Sequence, residues 1–305
     1  MTDFPASQRR CLICRAVEPV TAGQPIWPPG GRCLACGHVV PQGEGIPMFA
    51  PDLANTVSGF DPARFDFLAE IEATHFWFVA RNELIVGLLN KFFPAARRFL
   101  EIGCGNGAVL RAVDASRRWE RIVGSELQPS GLAHARRRLP EHVEFVQMDA
   151  RDIPAIDTFD LTGAFDVIEH IADDEAVLRG LRRATLRGGG IMVTVPQHPW
   201  LWSSADDQAH HERRYRRGEL EEKFRRNGFE ILFSSSFTTL LLPLMAASRF
   251  KDKRRLDEER VDREFAVNAL VNKAFAVVLR AEVAATLAGM RWPVGGSRVV
   301  IGRAV

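Results

Sequence analysis

Short apolar runs alternate with amphipathic stretches through the central part of the chain. The runs "RFLEI" (98–102), "RIVGSE" (121–126), "VEFVQMD" (143–149), "FDLTGAFDVI" (159–168) and "IMVTVP" (191–196) have strand length. Between them, residues 108–119, 129–138 and 173–187 carry apolar positions at helical spacing. Such alternation predicts a parallel sheet with helices on both faces. The stretch "GELEEKFRRNGFE" (218–230) holds a further helix ending at Gly228 and leads into a strand at 230–235, and "SRVVIGRAV" supplies a closing strand at 297–305. Residues 238–292 lie between these two strands and read as a helical insertion with apolar faces.

The chain upstream has a different pattern. Residues 46–96 read as a loop and then helices, centred on Phe76, Trp77 and Phe78. These rings either pack the helices onto the main domain or cap a cleft, with His75 and Arg81 pointing into it. Residues 1–45 hold "CLIC" (Cys11, Cys14) and "CLAC" (Cys33, Cys36), two C-x2-C pairs eighteen residues apart. Four thiolates so spaced can converge tetrahedrally on one Zn²⁺, which leaves no open position for water or substrate and predicts a structural zinc ribbon. The Pro- and Gly-rich stretch between the pairs suits a hairpin. The expected organisation is a zinc ribbon (1–45), a helical cap or linker (46–96) and an α/β domain (97–305) carrying the 238–292 insertion.

Composition narrows the function only a little. Forty basic residues face 38 acidic ones, so no global basic field argues for nucleic acid. Only five of the forty are Lys, and arginine clusters such as "RRYRR" (213–217) could meet anionic groups. The chain shows neither a signal-peptide pattern at its start nor an apolar run near the ~20 residues that span a bilayer. The expectation is a cytoplasmic protein with reduced thiols.

The first strand runs into "EIGCGNGAVL", a glycine turn that admits two ligands. Gly103-x-Gly105-x-x-Ala108 satisfies a loose dinucleotide fingerprint. Glu101 discriminates: a carboxylate there repels a pyrophosphate and attracts the ammonium and sulfonium of S-adenosylmethionine. Glu126, ending the second strand, suits a pair of ribose hydroxyls. Asp149, ending the third, could meet an adenine amino group, with Ala150 against the ring. These signals sit where open α/β sheets bind ligands, at the carboxyl ends of strands.

Together "FLEIGCGNG", "VGSELQPSGL", "VQMDARDIP", "FDVIEHI" and "LRGGGIMVTVPQ" resemble the class I S-adenosylmethionine-dependent methyltransferases. The resemblance covers about residues 97–235 and the closing strand. It implies a Rossmann-like, seven-stranded sheet whose last strand inserts antiparallel. It also implies a cofactor set: Glu101, Gly103, Cys104, Gly105 and Gly107 in the first turn, Glu126 and Leu127 at the ribose, and Asp149 and Ala150 at adenine. Asp166 would lie near the methionine portion.

Two regions could serve the acceptor. "DVIEH" (166–170) resembles a motif of ubiquinone-biosynthesis O-methyltransferases in which two acids and a histidine bind a divalent metal; His170 could instead act as a general base. "PQHPWLWSSADDQAHHERRYRRGEL" (196–220) follows the fifth strand and concentrates two Trp, two Asp, several His and Arg, and the chain's only Tyr. It resembles a group of bacterial methyltransferases, and from that resemblance His211, Arg214 and Tyr215 are the expected substrate-side residues. The expected activity is O- or N-methylation of a small-molecule, glycan-like or lipid-linked acceptor, with peripheral membrane contact open through 238–292. Two alternatives stand beside it: an RNA base methyltransferase recognising its target through the zinc ribbon, and an interaction protein with a degenerate methyltransferase domain.

Overall fold

A computed structural model describes residues 7–21, 23–55, 62–252 and 267–305. Its main body is a seven-stranded sheet built from β5 (Arg98–Ile102), β6 (Arg121–Glu126), β7 (Glu144–Gln147), β9 (Phe159–Phe165), β10 (Thr185–Pro196), β11 (Phe229–Phe237) and β12 (Ser297–Ala304). The order is β11-β12-β10-β9-β5-β6-β7, and β12 runs antiparallel between β10 and β11. The remaining pairings are parallel. Strands β5 and β9 are buried along their whole length, and Arg98 of β5 pairs with Asp160 of β9 at 3.0 Å between them.

Helices α3 (Ala108–Ser116), α4 (Pro129–Arg138), α5 (Asp174–Ala184) and α7 (Glu219–Arg226) connect the strands as the periodicity predicts, α4 with the expected bounds and the others shorter, and a short α6 (Ser204–Gln208) lies between β10 and α7. The largest shift is at residue 185. The helix expected to reach 187 stops at Ala184, and β10 begins at Thr185, six residues earlier than its apolar run. Its pairing with β9 is irregular between Thr185 and Gly190, because the glycines there let the chain bulge before joining the ladder. At Gly190 a Cβ would stand 2.4 Å from the Phe93 ring.

The amino-terminal strands β1 (Gln8–Arg10) and β2 (Val17–Pro19) form a hairpin that continues onto β8 (Ala155–Ile156) of the main body. A second small hairpin, β3 (Gln42–Gly43) with β4 (Ile46–Pro47), leads to Met48, which bridges to Gln147 at the edge of β7. Gln147 then pairs with both backbone groups of Ala50. Helices α1 (Pro62–Ile71) and α2 (Phe76–Phe92) follow.

The insertion contributes α8 (Leu242–Asp252) and α9 (Ala269–Leu287), and its residues 253–266 fall outside those described. Helix α9 lies on α2. Asn272 accepts from the Phe76 N–H (2.9 Å) and donates to the Thr74 carbonyl (2.9 Å), while Arg280 pairs with Glu83 (2.8 Å). Buried Glu282 accepts from the backbone of Thr239 and Leu240, which ties the helix to the end of β11. Cap and insertion thus form one helical layer over the strand ends. Among the described residues no helix is long and apolar enough to cross a membrane.

Candidate active site

A cavity of about 1270 Å³ opens between the strand carboxyl ends and this helical layer. Ligand pockets usually measure about 300–1,000 Å³, so this one has room for two molecules side by side. Its floor is the turn after β5. Gly103 has φ +65°, and a Cβ there would stand 2.5 Å from Val167, so only glycine fits. Gly105 donates its N–H to Glu126 Oε2 (3.1 Å), and Glu126 Oε1 accepts from Leu127 N–H (2.8 Å) and Gln128 N–H (3.1 Å). The Glu126 carboxylate is therefore locked in place at the end of β6.

Glu101 is the key residue of the floor. It is 2% exposed, and its Oε2 has no hydrogen-bond partner. Burial raises its pKa to about 8, reinforced by Glu126 and Glu72 and opposed by Arg81. An unpartnered buried carboxylate is costly and calls for a cation or a strong donor. The ammonium end of S-adenosylmethionine has that chemistry, and a pyrophosphate does not.

Cys104, Leu127, Asp149, Ala150 and Asp166 also line the cavity. Asp149 sits in a turn closed by Asp152 N–H to the Asp149 carbonyl (3.1 Å), and its carboxylate pairs with Arg151 (2.7 Å). Asp166 has φ +57° and pairs with Arg81, whose guanidinium lies over the Trp77 ring at 4.8 Å. His75 caps α2, accepting from the Trp77 N–H (3.3 Å), and it too lines the cavity. Gly107 differs from the expectation. It lies outside the lining; at φ +76° it starts α3, and a Cβ there would stand 2.5 Å from Leu139, so close helix packing is what requires it.

The opposite wall gathers Glu169, His170 and His211. One ligand atom from each lies within 4.8 Å of the others, and the two rings meet edge-on at 4.7 Å. Glu169 is fully buried with neither carboxylate oxygen hydrogen-bonded; burial and the Asp166 charge push its pKa far up. Burial and neighbouring His211 lower the His170 pKa to about 4, so its imidazole is neutral at pH 7. Asp166, held by Arg81, is not part of the cluster; of "DVIEH", only Glu169 and His170 converge.

His211 is oriented from behind. Its Nδ1 lies 2.8 Å from Asp206 Oδ1. Asp206, 1% exposed, also receives Arg214 Nε (2.7 Å), the Ser203 N–H (2.8 Å) and Arg249 from α8 (3.2 Å). Burial opposes its charge, yet His211 and the two guanidinium groups hold its pKa well below the usual carboxylate range. Arg214 lines the cavity, but its side chain is spent on Asp206 and the Gln197 carbonyl (3.3 Å). It belongs to the hub that fixes Asp206.

Tyr215 is a correction. It is fully buried, lies outside the cavity lining, and donates its hydroxyl to Asp174 at 2.6 Å. Burial and the Asp174 charge push its pKa far up. Apolar neighbours draw the ring inward, where it braces the 196–220 segment against α5 and has no access to an acceptor. Asp206 and Arg249 went unrecognised as partners because they are 43 residues apart, and no local pattern joins them.

At the amino terminus Cys11 Sγ lies 3.8 Å from Cys36 Sγ, and Cys14 Sγ 3.6 Å from Cys33 Sγ. All four sulfurs fall within 4.8 Å of one another. A tetrahedral ion bound at about 2.3 Å spaces its sulfurs about 3.8 Å apart, so the four thiols fit Zn²⁺.

Comparison with known proteins agrees with this geometry. Residues 100–194 match the family described as Methyltransferase domain. A "Probable S-adenosylmethionine-dependent methyltransferase" of Mycobacterium tuberculosis is 29% identical over 133 residues, 42% of this chain and 46% of that protein. The ubiquinone biosynthesis O-methyltransferase of Cereibacter sphaeroides is 32% identical over 114 residues, 35% of this chain and 45% of that one. The chain spans about half the length of the curated relatives it matches. Among solved structures, a chain of the complex between the Haloferax volcanii Trm112 methyltransferase activator and a methyltransferase superposes with a TM-score of 0.53. It is 20% identical, covering 80% of this chain and 93% of that one, and shares the fold.

Proposed function

We infer from the match of residues 100–194 to the Methyltransferase domain family, together with the cavity at the strand ends, that the chain transfers a methyl group from S-adenosylmethionine to an acceptor bound beside it. The observation that carries this reading is Glu101, a buried carboxylate with an unpartnered oxygen at the mouth of a glycine turn. Glu101 would bind the cofactor's ammonium, Glu126 its ribose hydroxyls, and Asp149 with Ala150 its adenine. When bound, S-adenosylmethionine supplies an activated methyl group on a sulfonium. The protein's task is then to hold the acceptor in line and take its proton.

His211 is the general base in this reading. With Nδ1–H donated to Asp206, its Nε2 is left to accept a proton from a hydroxyl or amine on the acceptor, and Asp206 stabilises the imidazolium that results. A second reading of the same wall rests on the two bare oxygens of Glu169. There Glu169, His170 and His211 hold a divalent metal that orients the acceptor, and His211 is a ligand. The four cysteines hold Zn²⁺, which supplies a fixed fold for the amino-terminal knuckles.

The acceptor is apolar in part. Leu241, Leu244, Met245 and Phe275 of the insertion line the cavity, and Leu244 is also 56% exposed. That lining favours a small-molecule or lipid-linked acceptor over a structured RNA. Calorimetric titration of the full chain with S-adenosylhomocysteine tests the cofactor half of this account. One-to-one binding that Glu101→Gln weakens supports it, and a folded chain that binds nothing sinks it. Vesicle flotation of the full chain tests the lipid extension.

A further inference from the structure

The four-thiol site is tied to the turn that displays Asp149 and Ala150. Arg10 immediately precedes Cys11, Arg15 immediately follows Cys14, and both reach across to Asp152. Arg15 pairs with Asp152 Oδ2 at 2.6 Å, and Arg10 pairs with Oδ1. The Arg10 N–H donates to the Pro154 carbonyl (3.0 Å), and Trp27, between the two knuckles, donates its indole N–H to the same carbonyl (2.9 Å). Asp152 lies outside the cavity lining, but its own N–H closes the Asp149 turn. On the far side Arg183 of α5 approaches Asp152 at 3.3 Å.

The arms of this clamp are thus the residues that flank one metal knuckle. With four thiolates gathered on an ion, Cys11 and Cys14 are fixed, and so are the backbones from which Arg10 and Arg15 project. Without the ion, four thiols have little to hold them together, and small metal modules lose their fold. Arg10 would stay anchored through β1, but Asp152 would lose Arg15, which projects from the knuckle itself, and the turn carrying Asp149 and Ala150 would be freer to shift. Ordering it again on binding would weaken the affinity.

We propose that metal occupancy of the Cys11–Cys14–Cys33–Cys36 site sets the affinity of the cavity for the adenosyl half of its cofactor, with Asp152 as the positioning residue that transmits it. The proposal rests on the reading of the cavity as an S-adenosylmethionine site. The experiment is a calorimetric cycle on the full chain with S-adenosylhomocysteine as probe, using zinc-loaded and chelator-stripped protein, each as wild type, Asp152→Asn and Asp152→Glu. Zinc content and circular dichroism are recorded for every sample.

Stripping should weaken binding roughly tenfold, and Asp152→Asn should do the same at unchanged zinc content. Asp152→Glu should recover most of the affinity. Stripping Asp152→Asn should add nothing, because both changes open one clamp. Stripped wild type that keeps its circular dichroism and binds within about twofold of the loaded protein overturns the proposal, as do losses that multiply in the double change. Asp152→Asn is the safeguard if stripping unfolds the ribbon, since full affinity in that zinc-loaded variant also overturns it. Failure of zinc-loaded wild type to bind at all instead overturns the cofactor reading, and the proposal with it.

Discussion

His211 Nδ1 and Asp206 Oδ1 stand 2.8 Å apart, five residues from each other in sequence, with the carboxylate 1% exposed. The pair fixes which imidazole nitrogen is available to an acceptor. Removing the base should lower kcat by about 10²–10⁴-fold. His211→Ala should do so with cofactor affinity unchanged, and steady-state kinetics with calorimetry checks both halves.

Asp206→Asn should behave differently, because Asp206 also neutralises Arg214 and Arg249. Breaking a buried charge hub by removing one partner costs about 3–5 kcal/mol. A denaturant melt of Asp206→Asn should show a loss of that order, and His211→Ala a much smaller one. Equal stability losses would mean that the hub does not bear on the fold.

Glu101 carries a pH dependence with a definite sign. Its pKa is raised to about 8, so below pH 8 the ligand-free group is mostly protonated, while a bound cation requires the carboxylate. Cofactor binding must therefore release a proton at pH 6–7, and affinity should rise by up to about tenfold per pH unit until pH 8. Glu101→Gln should bind weakly and without that slope. Calorimetry in buffers of different ionisation enthalpy reads the proton directly.

Glu169 separates the two readings of the acceptor wall. Burial and the neighbouring Asp166 charge push Glu169 toward its neutral form, of which glutamine is the near-isostere. If His211 is a base, Glu169→Gln should retain activity within a few-fold, and dialysis against EDTA at retained zinc content should leave turnover intact. Manganese bound at one equivalent in wild type and lost in Glu169→Gln, seen by electron paramagnetic resonance, would favour the metal reading.

Tyr215→Phe tests whether the buried hydroxyl serves the fold and not the acceptor. It should remove the 2.6 Å bond to Asp174 and cost about 1–2 kcal/mol of stability, with kcat and KM unchanged. Lys223 and Arg213 still hold Asp174 in the variant. A fall in kcat at unchanged stability would return Tyr215 to the acceptor.

The sheet was legible because its determinants are local. Buried strands read as short runs of apolar residues, and the acids at or just past their carboxyl ends, Glu101, Glu126 and Asp149, sit at short offsets from those runs. The four cysteines were legible for the same reason. Tyr215 was misread because polar residues crowded in sequence do not all face one way: His211 and Arg214 line the cavity, and the next residue turns into the core. The role of Arg249 was hidden in the insertion, and the clamp on Asp152 joins residues more than 130 apart. Long-range charge pairing leaves no periodic trace.

Transfer of a labelled methyl group from S-adenosylmethionine into a cell extract, separated into lipid, small-molecule, protein and RNA pools, is the decisive measurement. The account predicts label in the lipid or small-molecule pool with wild type, reduced about a hundredfold or more by His211→Ala. A folded, zinc-loaded chain that binds S-adenosylhomocysteine but labels none of the four pools would contradict it.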